Sequence, residues 1–149
     1  MAVVTENTID NWLYRISAVL VVIGLLVSIY MTIYKVTSNE ALCLGSGDCS
    51  TVNASRYSEV YGIPIAIIGV AGYFAILLVH WYERREKFFE KNGPMLIFGL
   101  ALAGFLFTVY LIYIEFAILR AFCPFCLTSQ AAMTIIFITS IIRLVRQPQ

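Results

Sequence analysis

Charge is what this sequence has least of. Asp, Glu, Lys and Arg make up 13% of its 149 residues, where a soluble domain carries roughly 25%. So little charge cannot solvate a surface, and a water-soluble globule is excluded. The net charge is +1; no basic face can be built from it, which excludes a nucleic-acid partner. There is no glycine-rich nucleotide loop, no internal repeat and no low-complexity tract. Apolar and polar residues do not alternate at the period of a strand, so a membrane β-barrel is excluded as well. The first eleven residues hold Glu6 and Asp10 but no lysine or arginine. That is the wrong sign for the leading region of a secretory signal, and the apolar run that follows is too long for a signal core. It is read as a retained first span.

What is there is apolar surface in long runs. Hydrophobic residues make up 60% of the chain and aromatics 14%, with a mean hydropathy of +0.85. Crossing a bilayer takes about 20 apolar residues at ~1.5 Å each, and four runs qualify. They are Leu13–Tyr34, broken only by Arg15; Tyr61–Tyr82, which contains Gly62, Gly69 and Gly72; Met95–Leu119; and Pro124–Leu144. The expected fold is all-α: a polytopic membrane protein whose four transmembrane helices form one domain over residues 1–149. Trp12, Tyr34, Trp81 and Tyr82 fall at span ends, where interfacial aromatics anchor helices. Ala66, Gly69, Ala71 and Gly72 offer small surfaces for close helix contact, or room for a flat ring. His80 is expected at an interface, and Glu83–Lys91 as a solvated loop.

Orientation follows from lysine and arginine in the short connections. Six lie on one side: Arg84, Arg85, Lys87, Lys91, Arg143 and Arg146. Three lie on the other: Lys35, Arg56 and Arg120. Both termini and the 83–93 connection are therefore expected in the cytoplasm, with 35–60 and 120–123 outside it. All four cysteines then sit on the outer, oxidising side, where disulfides form and persist.

Cys123-Pro124-Phe125-Cys126 is a Cys-x-x-Cys motif opening the fourth span. Proline favours the first helical position, which makes Cys123 the expected N-cap and puts Cys126 in the first turn. Unpaired N–H groups and the positive dipole end favour a thiolate there. A bridge of so short a spacing constrains little of the unfolded chain, so the redox-active reading is preferred to a structural one. Cys43 and Cys49 flank five residues that include Gly45 and Gly47. A structural clip and a mobile dithiol are equally open for that pair. A four-cysteine zinc site is disfavoured by the membrane flanks and the oxidising side, and no metal is expected. Together, a flexible dithiol beside a helix-start dithiol suits electron relay by thiol–disulfide exchange, and an apolar bundle suits a hydrophobic acceptor.

These residues resemble the vitamin K epoxide reductase family in its short bacterial form. The matching features run in order along essentially the whole chain. They are the loop cysteine pair, Cys49-Ser-Thr-Val-Asn-Ala-Ser55, Tyr61-Gly-Ile-Pro64, Gly69 to Gly72-Tyr73, Tyr110 to Glu115, and Cys123-Pro-Phe-Cys126. The DsbB type, another four-helix quinone reductase, carries its two cysteine pairs in the reverse order. The resemblance implies a quinone of the ubiquinone or menaquinone/phylloquinone type as electron acceptor. It implies that Cys126 lies nearest the quinone, that Cys123 is its partner, that Cys49 exchanges with Cys123, and that an external reduced protein attacks Cys43. Ser55 matches the family's loop hydroxyl; a plain helix cap or loop hydrogen bond is an equal alternative for it. Many bacterial members carry a fused thioredoxin-like domain that these 149 residues do not include, which implies a separate thioredoxin-like (DsbA-like) partner. Vertebrate members have tyrosine at the position of Gln130, so their substrate and anticoagulant specificity does not transfer.

Two polar residues in the spans remain. Gln130 could donate a hydrogen bond to a quinone carbonyl, although helix packing is the commoner role. Glu115 could deliver protons to a quinone, since intramembrane carboxylates are functional candidates. The plainer alternative, slightly preferred, takes it to the outer interface or pairs it with Arg120. The expected activity is oxidation of a dithiol protein and reduction of a membrane quinone, in the bacterial inner membrane, in support of disulfide formation. Quinone or vitamin K epoxide reduction is the second reading, and a membrane module braced by disulfides the third. The orientation is checked with a membrane-impermeant maleimide on intact, reductant-treated cells. Loop cysteines are expected to label from outside, and a cysteine placed at Gln147 only after the membrane is opened.

Overall fold

The structure, a computed structural model, describes residues 2–37, 56, 59–120 and 124–146. Cys43, Cys49, Ser55 and Cys123 lie outside the described residues. The first helix, α1, runs Ala2–Thr37. A two-stranded antiparallel hairpin follows, β1 (Glu59–Val60) and β2 (Ile63–Pro64), with Glu59 opposite Pro64 and Val60 opposite Ile63. Then come α2 (Ile65–Glu83), α3 (Lys87–Tyr113) with a π-helical end at Ile114–Leu119, and α4 (Pro124–Arg146). Four helical stretches are long and apolar enough to cross a membrane: Thr8–Thr37, Ile65–Glu83, Lys91–Ile118 and Pro124–Arg146. The chain is an all-α membrane bundle with one small hairpin on its rim.

The hairpin explains why α2 begins four residues after the apolar run does. Tyr61 and Gly62 both have positive φ, 53° and 82°. Two such residues in succession make the tight turn that matches strand twist. Glycine adopts this conformation freely, whereas tyrosine does so at a cost of roughly 1–2 kcal/mol. Pro64 then caps α2. At the other end, the backbone N–H groups of Arg85 and Glu86 both reach the Tyr82 carbonyl, at 3.0 and 2.9 Å. Three residues thus connect α2 to α3. The run expected as a solvated loop over 83–91 is mostly helix, because Lys87 already starts α3 and Pro94 lies inside it.

Helices α1 and α3 each pack against both α2 and α4, so the four form a square with α1 and α3 on a diagonal. Val21, Tyr73, Ile76, Ile97, Ala101, Met133 and Ile136 form the buried core, drawn from all four helices. Glycines set two of the approaches. A Cβ at Gly24 would come within 2.3 Å of the Tyr73 ring, and one at Gly104 within 2.8 Å of Met133. The outward faces are apolar, with Leu26, Phe74, Leu106 and Ile138 exposed, as lipid-facing positions require.

The end of the bundle that holds the α2–α3 connection is polar inside. Glu83 is buried, and Arg143 of α4 donates to its carboxylate in a close ion pair. Arg84 stacks on the Tyr14 ring at 4.2 Å and donates to the Asn11 side chain at 3.2 Å. His80 is also buried, its Nδ1 3.1 Å from the Ile76 carbonyl and its ring 5.1 Å from that of Tyr14. Two expectations are corrected by this. His80 is an interior residue because Tyr14 covers it, and Glu83 is the buried half of an ion pair. Tyr34 is corrected too: it packs inside against Met31 and is 5% exposed, while Trp12, Trp81 and Tyr82 face outward.

Breaking a buried pair costs more than replacing both partners. Arg143→Met alone is expected to destabilise the protein by about 3–5 kcal/mol. Adding Glu83→Met should restore most of that loss, read as the thermal unfolding midpoint in detergent.

Candidate functional site

At the opposite end, the helices part around a cavity of about 330 Å³. All four helices line it. Val27, Met31 and Lys35 come from α1, Ala66, Gly69 and Gly72 from α2, Gly104, Phe107 and Leu111 from α3, and Phe125, Cys126 and Met133 from α4. The lining is mainly apolar, with Ser28, Lys35, Tyr73, Thr108, Glu115, Ser129 and Gln130 as its polar members. Its volume lies at the lower end of the ~300–1,000 Å³ typical of small-molecule sites.

The small residues of α2 divide their work. A Cβ at Gly69 would meet the Ser28 hydroxyl at 3.0 Å, so this glycine permits close approach of α1. A Cβ at Gly72 would meet nothing within 4 Å, so this one leaves the cavity open. Beside it, Tyr73 is 2% exposed, and its hydroxyl donates to the Ser129 carbonyl at 2.7 Å and lies 3.0 Å from the Ser129 hydroxyl. That contact fixes α4 against α2 next to the cavity.

Helix α4 begins at Pro124, as the Cys-Pro-Phe-Cys motif predicts for a proline in the first turn. Cys126 therefore stands in the first turn, half-buried, on the cavity wall. It packs against the Met31 and Tyr34 pair, and Phe125 lies 5.0 Å from the Tyr30 ring. Residues 126, 129, 130 and 133 recur at one helical face, and all four line the cavity.

Glu115 is not at the interface, and no ion pair with Arg120 is found among the described residues. It is 2% exposed, and its Oε1 accepts a hydrogen bond from Gln130 Nε2 at 3.4 Å. The cause is local. The α-helical turn gives way to a π-helical one at Ile114, and Arg120 closes it with φ 49° in the left-handed region. Such a widened turn changes which face its residues present, and Glu115 faces inward while Arg120 is exposed. Glu115 Oε2 and Gln130 Oε1 have no hydrogen-bond partner within the protein. Buried polar atoms seldom stay unpaired, and both residues belong to the lining of the cavity.

The site thus unites Cys126, Gln130 and Glu115 of the sequence-derived candidates. Tyr73, Ser28, Thr108 and Ser129 were not singled out beforehand as site residues. The signal that points to Ser129 is its place three residues after Cys126; Ser28 and Thr108 stand out as isolated polar residues inside apolar runs.

A sequence model of the vitamin K epoxide reductase family matches residues 15–141, which take in the cavity and most of every span. The chain belongs to this family. It is 31% identical over 118 residues to a protein of Arabidopsis thaliana named Thiol-disulfide oxidoreductase LTO1. That match covers 75% of the chain and 31% of the relative, so the chain corresponds to about a third of the plant protein's length.

Removing the Tyr73 hydroxyl tests the described α2–α4 contact. Tyr73→Phe keeps the ring on Gly24 and is expected to cost about 1 kcal/mol, read as a lower unfolding midpoint.

Proposed function

We propose that this chain is a membrane thiol:quinone oxidoreductase that oxidises a thioredoxin-like dithiol protein and reduces a membrane quinone. The observation that carries the reading is the place of Cys126. One sulfur of a Cys-x-x-Cys pair lies on the wall of an apolar cavity inside a lipid-facing bundle. Family membership and the oxidoreductase name of the plant relative support thiol chemistry.

The residues present fit a quinone. Gly72 leaves room for a flat ring, and aliphatic and aromatic side chains cover its faces. Gln130 and Glu115 are buried, hydrogen-bonded polar residues of the lining, and the Gln130 amide N–H group is the one suited to donate to a quinone carbonyl. As substrate, the quinone accepts two electrons and two protons and leaves as quinol.

Within the protein the work is thiol exchange. A partner thiolate attacks the Cys43–Cys49 disulfide at Cys43, and a second thiol of the partner resolves the mixed disulfide. Cys49 in turn attacks Cys123 and frees Cys126. Cys43 then attacks Cys49 to resolve the Cys49–Cys123 mixed disulfide, which re-forms the Cys43–Cys49 bond and leaves Cys123 and Cys126 as the reduced pair. Cys126, nearest the cavity, passes the electron pair onward. Its position in the first turn of α4 sets the Cys126 side chain on the cavity wall. Cysteines and cavity lie at the extracytoplasmic end in this reading, with both termini in the cytoplasm of a bacterial cell. Glu115 and Gln130 are assigned to the quinone, and Ser55 to the cysteine loop.

The test mixes purified oxidised protein with a quinone and reduced thioredoxin and follows quinone absorbance. Cys126→Ala is expected to abolish quinone reduction with every thiol donor. Cys43→Ala should lose the thioredoxin-driven reaction and keep activity with dithiothreitol. If folded protein reduces no quinone with either donor, the proposed activity is wrong and the cysteines are structural.

A further inference from the structure

The interior of the bundle is polar at both ends, with a buried apolar layer between them. Toward one end stand Tyr14, His80, Glu83 and Arg143; toward the other stand Cys126, Ser129, Gln130 and Glu115. Between them lies a layer to which every helix contributes: Val21, Ile76, Ile97, Ala101 and Ile136, each no more than 1% exposed. Thr139 and Ser140 are the hydroxyls of α4 just beyond that layer. Each bonds a carbonyl of its own helix, Ile136 at 2.8 Å and Phe137 at 2.7 Å, so neither extends a polar chain through it. From Gln130 to Arg143 is thirteen residues of α4, ~20 Å along its axis. His80 Nε2 and Asp10 Oδ1 are left unpaired on the far side of this layer from the cavity.

The cavity does reach charge at its own end. Lys35 lines it, and Lys35 Nζ lies 3.5 Å from Glu59 Oε1 on the rim hairpin. The Lys35 side chain is 20% exposed and that of Glu59 46%. A partly exposed ion pair thus borders the cavity that Glu115 lines.

We propose that Lys35 and Glu59 collect protons at the cavity mouth, that Glu115 receives them inside, and that the reaction moves no net charge across the bilayer. The inference rests on the quinone reductase reading above. The balance is simple. A dithiol becomes a disulfide and gives up two electrons and two protons. The quinone takes up two of each and becomes a quinol. Release and uptake occur at the same end of the bundle, because the apolar layer blocks uptake from the other. The enzyme then neither builds a membrane potential nor works against one.

The full chain is reconstituted in proteoliposomes with a quinone in the bilayer, a pH dye in the lumen and a potential-sensitive dye. Reduced thioredoxin is added outside; it cannot cross, so only molecules with their cysteines outward turn over. Quinone reduction is expected with no change of lumen pH, no potential, and a rate indifferent to an imposed potential. An alkaline lumen with an interior-negative potential overturns the proposal. Lys35→Met and Glu59→Gln are expected to slow quinone reduction about tenfold or more and to raise its solvent deuterium isotope effect. Single-turnover oxidation of thioredoxin should be unchanged in both. His80→Gln should leave all three readouts unaltered. Normal turnover in both rim variants overturns the assignment of Lys35 and Glu59. Absence of quinone reduction in the wild type, in protein shown to be folded, removes the activity and this inference with it.

Discussion

One tyrosine joins three of the four helices, and the geometry of the cavity depends on it. The Tyr73 ring rests where Gly24 of α1 has no side chain, and its hydroxyl holds the Ser129 backbone of α4. Water is absent from the hydrocarbon core, so a buried hydroxyl must find its partner within the protein. That requirement fixes both the height and the rotation of α4 against α2. Gln130 follows Ser129 directly, and its side chain meets Glu115 on α3. Cys126 lies one turn earlier on the same face. The wall that carries the sulfur is therefore positioned by a hydrogen bond three residues away.

The polar groups are sorted by the same rule. Glu83 and Arg143 satisfy each other at one end, where snorkelling to water is short. Glu115 and Gln130 satisfy each other only in part, and one oxygen of each has no partner within the protein. A bundle held together by lipid-compatible packing can keep one incomplete polar pair if a ligand completes it. The apolar middle layer is the dielectric barrier that keeps these two ends independent.

Much of this could be read from the residues alone, because hydropathy reports length directly. Four runs near twenty residues could only be spans, and Cys-Pro-Phe-Cys placed a proline where α4 begins. What linear reading misses is azimuth. Tyr34 and His80 sit at span ends, yet they point inward because Met31 and Tyr14 lie beside them. For Glu115 the sequence leaves a proton donor beside a partner of Arg120 or an interfacial group; the π-helical turn at Ile114–Leu119, which no residue pattern announces, is what turns it inward. Glu83 lies in a charged run that looks solvated until Arg143, sixty residues away, is brought to it. The hairpin is hidden for a different reason: Tyr61 and Ile63 look like the start of a membrane helix, and only the positive φ at Tyr61-Gly62 makes a turn there and sends Ile63 into a rim strand.

The unequal lengths of the helices have a consequence for the membranes this bundle can inhabit. The α2 span has 19 residues and the α1 span 30, or ~28 Å against ~45 Å at the helical rise. The shorter one barely crosses a hydrocarbon layer of ~30 Å. It is tethered at one end by the hairpin and at the other by the buried Glu83–Arg143 pair. It cannot lengthen, and tilting only shortens its reach, whereas α1 can tilt or protrude. A thick, sterol-rich bilayer would bring Arg84 and Arg85 toward the acyl chains or thin around α2, at fractions of a kcal/mol per Å. Membrane thickness thus bears on this bundle first at its shortest span.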